Sequence, residues 1–201
     1  MILGAVRPQA ATLRLAIFPH AGLVTDAVLV CAGALFMAAA AQVSIPLPFT
    51  PVPITGQTFA AVLIGASLGS LLGLASLSLY VLLGLAGAPF YADASSGLET
   101  FLGPTGGYII GFVVAAAVTG FLAERRWDRR FPSAVAAMLT GNVLIYACGL
   151  PWLALELDTG LEETLELGLY PFIVGDLLKL YLAAALLPLA WKGVERLRGP
   201  R

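Results

Sequence analysis

Leu169-Tyr170-Pro171-Phe172-Ile173-Val174-Gly175-Asp176-Leu177-Leu178-Lys179-Leu180, followed by eleven uncharged residues ending at Trp191, decides the reading of this chain. As a helix the stretch 169–191 is about 35 Å long, enough to cross the roughly 30 Å hydrocarbon core of a bilayer. Asp176 and Lys179 are its only charges. In hydrocarbon an ionisable side chain costs a few kcal/mol or more, so it normally faces a protein interior, a partner charge or a ligand. Three residues turn a helix by about 300°, so both groups lie on one stripe.

The rest of the chain agrees that lipid is the solvent. Hydrophobic residues make up 59% of the 201 and charged ones 11%, against roughly 25% charged in a soluble domain. Mean hydropathy is +0.92. The net charge of −1 offers no basic field for nucleic acid. Cys31 and Cys148 sit in apolar runs with no Cys or His at ligand spacing, and they read as small core residues without a metal or a disulfide.

Working outward, spans of about 20 apolar residues fall at 25–45, 105–122, 132–155 and 170–191. The run 57–86 is too long for one of them. Gly65, Gly69, Ser70 and Gly73 allow a tight turn inside it, which predicts a hairpin of helices 57–68 and 70–86, with one tilted helix as the alternative. Basic residues test the count, because cytoplasmic loops collect Lys and Arg. Arg7 and Arg14 precede the first span, Arg125, Arg126, Arg129 and Arg130 join the fourth to the fifth, and Lys192, Arg196, Arg198 and Arg201 follow the sixth. The other connections, 46–56, 87–104 and 156–168, contain none. The expectation is an all-α polytopic membrane protein of six transmembrane helices with both termini cytoplasmic. Its parts are an N-terminal segment 1–22, a six-helix domain 23–192 and a basic tail 193–201. Residues 1–20 lack the apolar core of a signal peptide.

The outer connections are unusual. Pro46, Pro48, Pro51 and Pro53 forbid helix and favour a stiff extended chain. The second, from Gly87-Ala-Pro-Phe-Tyr to Gly103-Pro-Thr-Gly-Gly-Tyr108, is long and glycine-rich, and Thr105 is placed to cap the next helix. Both are expected to form a lid, with Phe49, Phe90, Tyr91, Tyr108 and Trp152 as its aromatic residues; plain connection of spans, and an aromatic belt for Trp152, are the alternatives.

Depth arithmetic at 1.5 Å per residue puts Asp176 and Lys179 about 10 and 15 Å below the outer edge, with Tyr146 and Asn142 at about 10 and 16 Å on the preceding helix. Asp176, Lys179, Asn142 and Tyr146, with Gln57 and Thr58 at the mouth, then make a mainly apolar concave site with a few polar groups. Alternatively Asp176 and Lys179 only neutralise each other, and Asn142 makes an interhelical hydrogen bond.

Four segments in order carry a resemblance: Pro48-Phe-Thr-Pro-Val-Pro-Ile-Thr-Gly-Gln-Thr-Phe59, Leu102-Gly-Pro-Thr-Gly-Gly-Tyr108, Gly141-Asn-x-x-Ile-Tyr-x-x-Gly-x-x-Trp-Leu153, and Pro171-Phe-x-x-Gly-Asp-x-x-Lys179. Together they resemble the BioY family, the biotin-specific S components of energy-coupling factor importers. The resemblance implies a six-helix S-component bundle that takes biotin from outside, with Asp176 and Lys179 as binding residues. With Asn142, Tyr146, Gln57 and Thr55 they make up the expected biotin-binding set. Biotin carries two ureido N–H donors, a ureido carbonyl, an apolar thiolane and chain, and a carboxylate. Asp176 suits the N–H groups, and Lys179 or Asn142 the carbonyl. The Arg that family members often place in the second outer loop has no counterpart within 91–100.

No phosphate loop ending in Gly-Lys-Ser/Thr occurs in the sequence. The resemblance therefore implies partners: a transmembrane coupling subunit and two cytoplasmic ATPases, with no cofactor or metal in this chain. Ala34 and Ala38, four apart on the first span, resemble an S-component docking surface; packing within the bundle is the other reading. No span contains histidine, and no cysteine has a base at spacing, so catalytic residues are not expected. A secondary transporter using Asp176 as a proton carrier, or a membrane scaffold, are the competing classes.

Overall fold

A computed structural model describes residues 11–20 and 22–197. Arg7, Arg198 and Arg201 lie outside the described residues, as do parts of the 1–22 and 193–201 segments. The chain forms α1 (Leu13–Ile17), α2 (Leu23–Gln42), β1 (Ser44–Leu47), β2 (Thr50–Thr55), α3 (Gln57–Leu68), α4 (Ser70–Leu85), α5 (Gly97–Leu102), α6 (Gly106–Glu124), α7 (Phe131–Leu157), α8 (Leu161–Gly168) and α9 (Ile173–Leu197). Four helical stretches, Leu23–Gln42, Gly106–Glu124, Phe131–Leu157 and Leu161–Leu197, are long and apolar enough to cross a membrane; Gln57–Leu68 and Ser70–Leu85 are shorter apolar helices.

The predicted break in 57–86 is present. Gly69 ends α3 with φ 93, a left-handed angle that only glycine adopts without strain, and its N–H donates to Gly65 O at 2.8 Å. Glu124, at the end of α6, accepts from Ser70 N at 2.8 Å, placing a carboxylate on the orphan donors and positive dipole end of α4.

The proline-rich segment is extended, as expected, but it is a hairpin. β1 and β2 pair antiparallel, Ser44 with Thr55, Ile45 with Ile54 and Leu47 with Thr50, and the register shifts between Ile45 and Leu47, around Pro46, which has no N–H to give the ladder. Three short helices were not expected. α1 buries Leu13 and Ala16 and packs on α3 and α9, while Arg14 pairs with Asp26 of α2. α5 and α8 fold within the 87–104 and 156–168 connections. In α8, Glu162 and Glu163 occupy the first turn, where the helix dipole favours them.

Thr105 precedes α6 but makes no side-chain cap, because its own φ −91, ψ −5 is already helical. Cys31 is exposed on α2 and Cys148 half-buried, so neither is the core residue expected; both are free thiols. The core has two parts along the bundle. One gathers Met37, Ile64, Tyr80, Tyr108, Phe112 and Phe172, and the other Leu13, Val62, Met138, Leu180, Leu187 and Trp191. Outside it, Leu23, Val28, Leu71, Leu82, Val174 and Leu178 are all exposed, large apolar side chains of the kind that lipid covers.

Ala34 and Ala38 are 1% and 8% exposed, within the same core cluster as Ala61, Ile64 and Leu77 of α3 and α4. They are not a docking surface: the small stripe lets α2 approach its own neighbours. The opposite face, with Val28, Leu35 and Phe36, is the exposed one.

Candidate ligand-binding site

At one end of the bundle a cavity of about 210 Å³ is walled by β2, the 91–105 connection, α3, α6, α7 and α9. Its polar floor is Asp176, which is 5% exposed. Asp176 Oδ1 accepts from Thr58 Oγ1 of α3 at 3.0 Å and from Lys179 Nζ at 3.0 Å. Oδ2 accepts from the Tyr146 hydroxyl of α7. Three donors on one carboxylate compensate its removal from water. A carboxylate has about four lone-pair sites, so one acceptor position on Oδ2 remains for a ligand.

Lys179 Nζ also lies 3.4 Å from Thr58 Oγ1, and its side chain keeps 21% exposure. Among the described residues it is the one basic group lining the cavity. At the mouth, Gln57 is held on both sides: Nε2 donates to the Tyr80 hydroxyl at 2.8 Å, and Oε1 accepts from Thr55 Oγ1 at 3.0 Å. Val52, Ile109, Phe112 and Phe172 supply apolar wall, and Tyr108 stands edge-on to Tyr146 with centroids 6.1 Å apart.

Five of the six expected binding residues therefore meet: Asp176, Lys179, Tyr146, Gln57 and Thr55 all line the cavity. Asn142 does not. It is buried on α7, at 9% exposure, about 6 Å further along the helix than Tyr146 and rotated by about 40°. Matching it to the depth of the Lys179 backbone misjudged the level, because the flexible lysine stem returns its ammonium to Asp176.

Of the lid aromatics, Tyr91 and Tyr108 line the cavity and are pinned, Tyr91 OH donating to Val81 O and Tyr108 OH to Gly168 O, both at 2.8 Å. The other three do not reach it. Phe49 stands 58% exposed at the hairpin tip, where a turn residue has no neighbouring strand to pack on. Phe90 instead stacks on Tyr80, and Trp152 donates to Gly103 O at 3.0 Å, fastening α7 to the turn before α6. Burial raises the Tyr91 hydroxyl pKa above its usual value.

Two positioning residues escaped the sequence reading. Tyr80 is fully buried within an apolar helix, where it reads as core. Gln42 closes α2 and ties down the second connection, its amide donating to Tyr91 O at 3.1 Å and its Oε1 accepting from Ala94 N at 2.9 Å. A polar residue at a helix end gives no such signal. Ser95, Thr100 and Thr105 also line the cavity.

Residues 9–196 match the model of the BioY family. The biotin transporter BioY of Thermotoga maritima is 37% identical over 151 residues, covering 75% of this chain and 87% of that protein. The probable biotin transporter BioY of Pyrococcus horikoshii is 38% identical over 159 residues, covering 79% and 87%. A crystal structure of the S-component for biotin from an ECF-type ABC transporter superposes with a TM-score of 0.72 at 27% identity, over 89% of this chain and 93% of that one. The chain, which carries this cavity and its buried acid, belongs to the BioY family.

Proposed function

We propose that this integral membrane protein takes up biotin, binding it in the Asp176 cavity as the S component of an energy-coupling factor importer. The observation that carries the reading is the oriented carboxylate of Asp176, held by Thr58, Tyr146 and Lys179 on the floor of a mainly apolar cavity in a BioY-family chain. The free lone pair on Oδ2 accepts a ureido N–H, and the proton of Lys179 not engaged by Asp176 or Thr58 donates to the ureido carbonyl. Val52, Ile109 and Phe112 receive the thiolane and chain. The biotin carboxylate then lies toward the connection end, where Thr105 has a hydroxyl not engaged in capping.

Six spans, with α3 and α4 as the second and third and both termini cytoplasmic, account for the sorting of basic residues among connections. The chain resides in the cell membrane, carries no cofactor and performs no catalysis. A transmembrane coupling subunit and two ATPases supply the energy.

Equilibrium binding of labelled biotin to the purified protein tests the site. Saturable binding that is lost in both Asp176→Asn and Lys179→Ala, with both variants still folded, is the expected result. Wild-type affinity in Asp176→Asn overturns the assignment.

A further inference from the structure

A second cavity, of about 550 Å³, opens between the α6–α7 turn, the first turn of α7 and the last turns of α9. Lys192, on its wall, is sixteen residues from Asp176 along α9, about 24 Å of helix, so this cavity belongs to the other end of the bundle. Arg126, Arg129, Arg130 and Lys192 line it, with Ser133 and Glu195.

This basic cluster is built into the fold. The Arg129 guanidinium lies 3.4 Å from the centroid of the Trp191 ring, and Trp191 Nε1 donates to Asp128, which is 0% exposed. Arg126 is held at φ 68, a left-handed angle uncommon for a side-chain-bearing residue. Against four bases stand Glu195 and the buried Asp128, so two positive charges are in excess. The transport reading uses none of these residues.

Position and charge together name the ligand class. The cavity sits where two apolar helices reach the membrane boundary. Directly along their exposed side Phe131 of α7 and Tyr181 of α9 stack with centroids 6.2 Å apart, and Leu189 is 60% exposed. An apolar strip leading from a pocket of arginines suits a molecule with hydrocarbon chains and an anionic head. Guanidinium forks match phosphate oxygens in pairs, and basic pockets between membrane helices hold acidic headgroups. We propose that this cavity binds the phosphate headgroup of an anionic phospholipid, with the acyl chains along the Phe131–Tyr181 face.

Native mass spectrometry of the full chain, released from detergent containing equimolar phosphatidylglycerol and phosphatidylcholine, reads the site directly. Phosphatidylglycerol adducts at least tenfold in excess are expected, falling to the phosphatidylcholine level in the triple variant Arg126→Gln, Arg130→Gln, Lys192→Gln. Biotin binding of that variant, unchanged, establishes that it is folded; if it is not, Arg130→Gln alone is expected to reduce the excess severalfold. Equal adducts of both lipids in the wild type, or an excess that survives the triple change, overturns the proposal. Displacement of phosphatidylglycerol by millimolar inorganic phosphate assigns the site to free phosphate and overturns the lipid. Loss of co-purifying coupling subunit in the triple variant, with the lipid excess intact, makes the cluster a protein docking surface and overturns it too.

Discussion

Thr58 Oγ1 donates to Asp176 Oδ1 across 3.0 Å, joining α3 to α9 at the floor of the cavity. The bond spans helices that are 118 residues apart in sequence, and it fixes which way the carboxylate faces. Hydrogen bonds to a charged group contribute about 1.5–3 kcal/mol. Thr58→Val keeps the shape of the side chain and removes the donor. Tyr146 and Lys179 still hold Asp176, so the fold is expected to survive while biotin affinity falls roughly tenfold or more, each 1.4 kcal/mol being about a factor of ten. Titration calorimetry on the purified variant checks this, and an unchanged Kd would show that Thr58 plays no part in orienting the acid.

Asp176 and Lys179 differ in what their removal leaves behind. Lys179→Met strands a carboxylate that is 5% exposed, and breaking a buried ion pair from one side costs about 3–5 kcal/mol. The partial exposure of Lys179, 21% for its side chain, puts the present case at the lower end. Adding Asp176→Asn to Lys179→Met removes the stranded charge. The double variant should therefore melt at a higher temperature than Lys179→Met alone, and neither should bind biotin. A double variant less stable than the single one would mean that Thr58 and Tyr146 compensate the burial of the carboxylate without Lys179.

The sequence made the apolar helices and the ionic floor legible because both depend on local quantities. A run of apolar residues declares its length, Gly69 its turn, and a charge inside hydrocarbon declares that something faces it. The hairpin at Ser44–Leu47 and Thr50–Thr55 was read only as extended chain, since four prolines forbid helix without naming a pairing partner. Asn142 went wrong because depth along a helix was matched without azimuth and without the reach of a lysine stem. Tyr80 and Gln42 stayed hidden for a different reason. Their function is to hold another residue, and such a partner is set by tertiary packing that no periodicity records.

Gly65 shows how close that packing is. A Cβ placed there would stand 2.2 Å from Ala116 O and 2.4 Å from Thr119 Oγ1. The first is backbone of α6 and cannot swing aside. Gly65→Ala must push α3 from α6, at the cost of about 1–3 kcal/mol that overpacking brings, even though alanine favours helix. Because α3 also carries Gln57 and Thr58, the shift should reach the cavity: a lower melting temperature and weaker biotin binding together. Thermal unfolding in detergent, followed with and without biotin, checks both, and a variant that is more stable than wild type would show that the helices have room.

The buried carboxyl of Asp128 predicts a pH dependence separate from the ligand site. Burial lifts its pKa above the ordinary 3.8, while the Trp191 N–H and the Arg129 charge act in the opposite direction. Between 3.8 and the raised value, the folded protein keeps a proton that the unfolded chain has already released, so stability falls as pH rises through that window. The contribution is fully present below 3.8 and gone once pH passes the folded value. Asp128→Asn retains an oxygen to accept from Trp191 Nε1 and cannot ionise. Melting temperatures measured from pH 4 upward should therefore decline less steeply for Asp128→Asn than for wild type, and the variant should match or exceed wild type at neutral pH. Parallel curves for the two proteins would mean that Asp128 titrates alike in the folded and unfolded states, and that burial beside Trp191 leaves its proton unaffected.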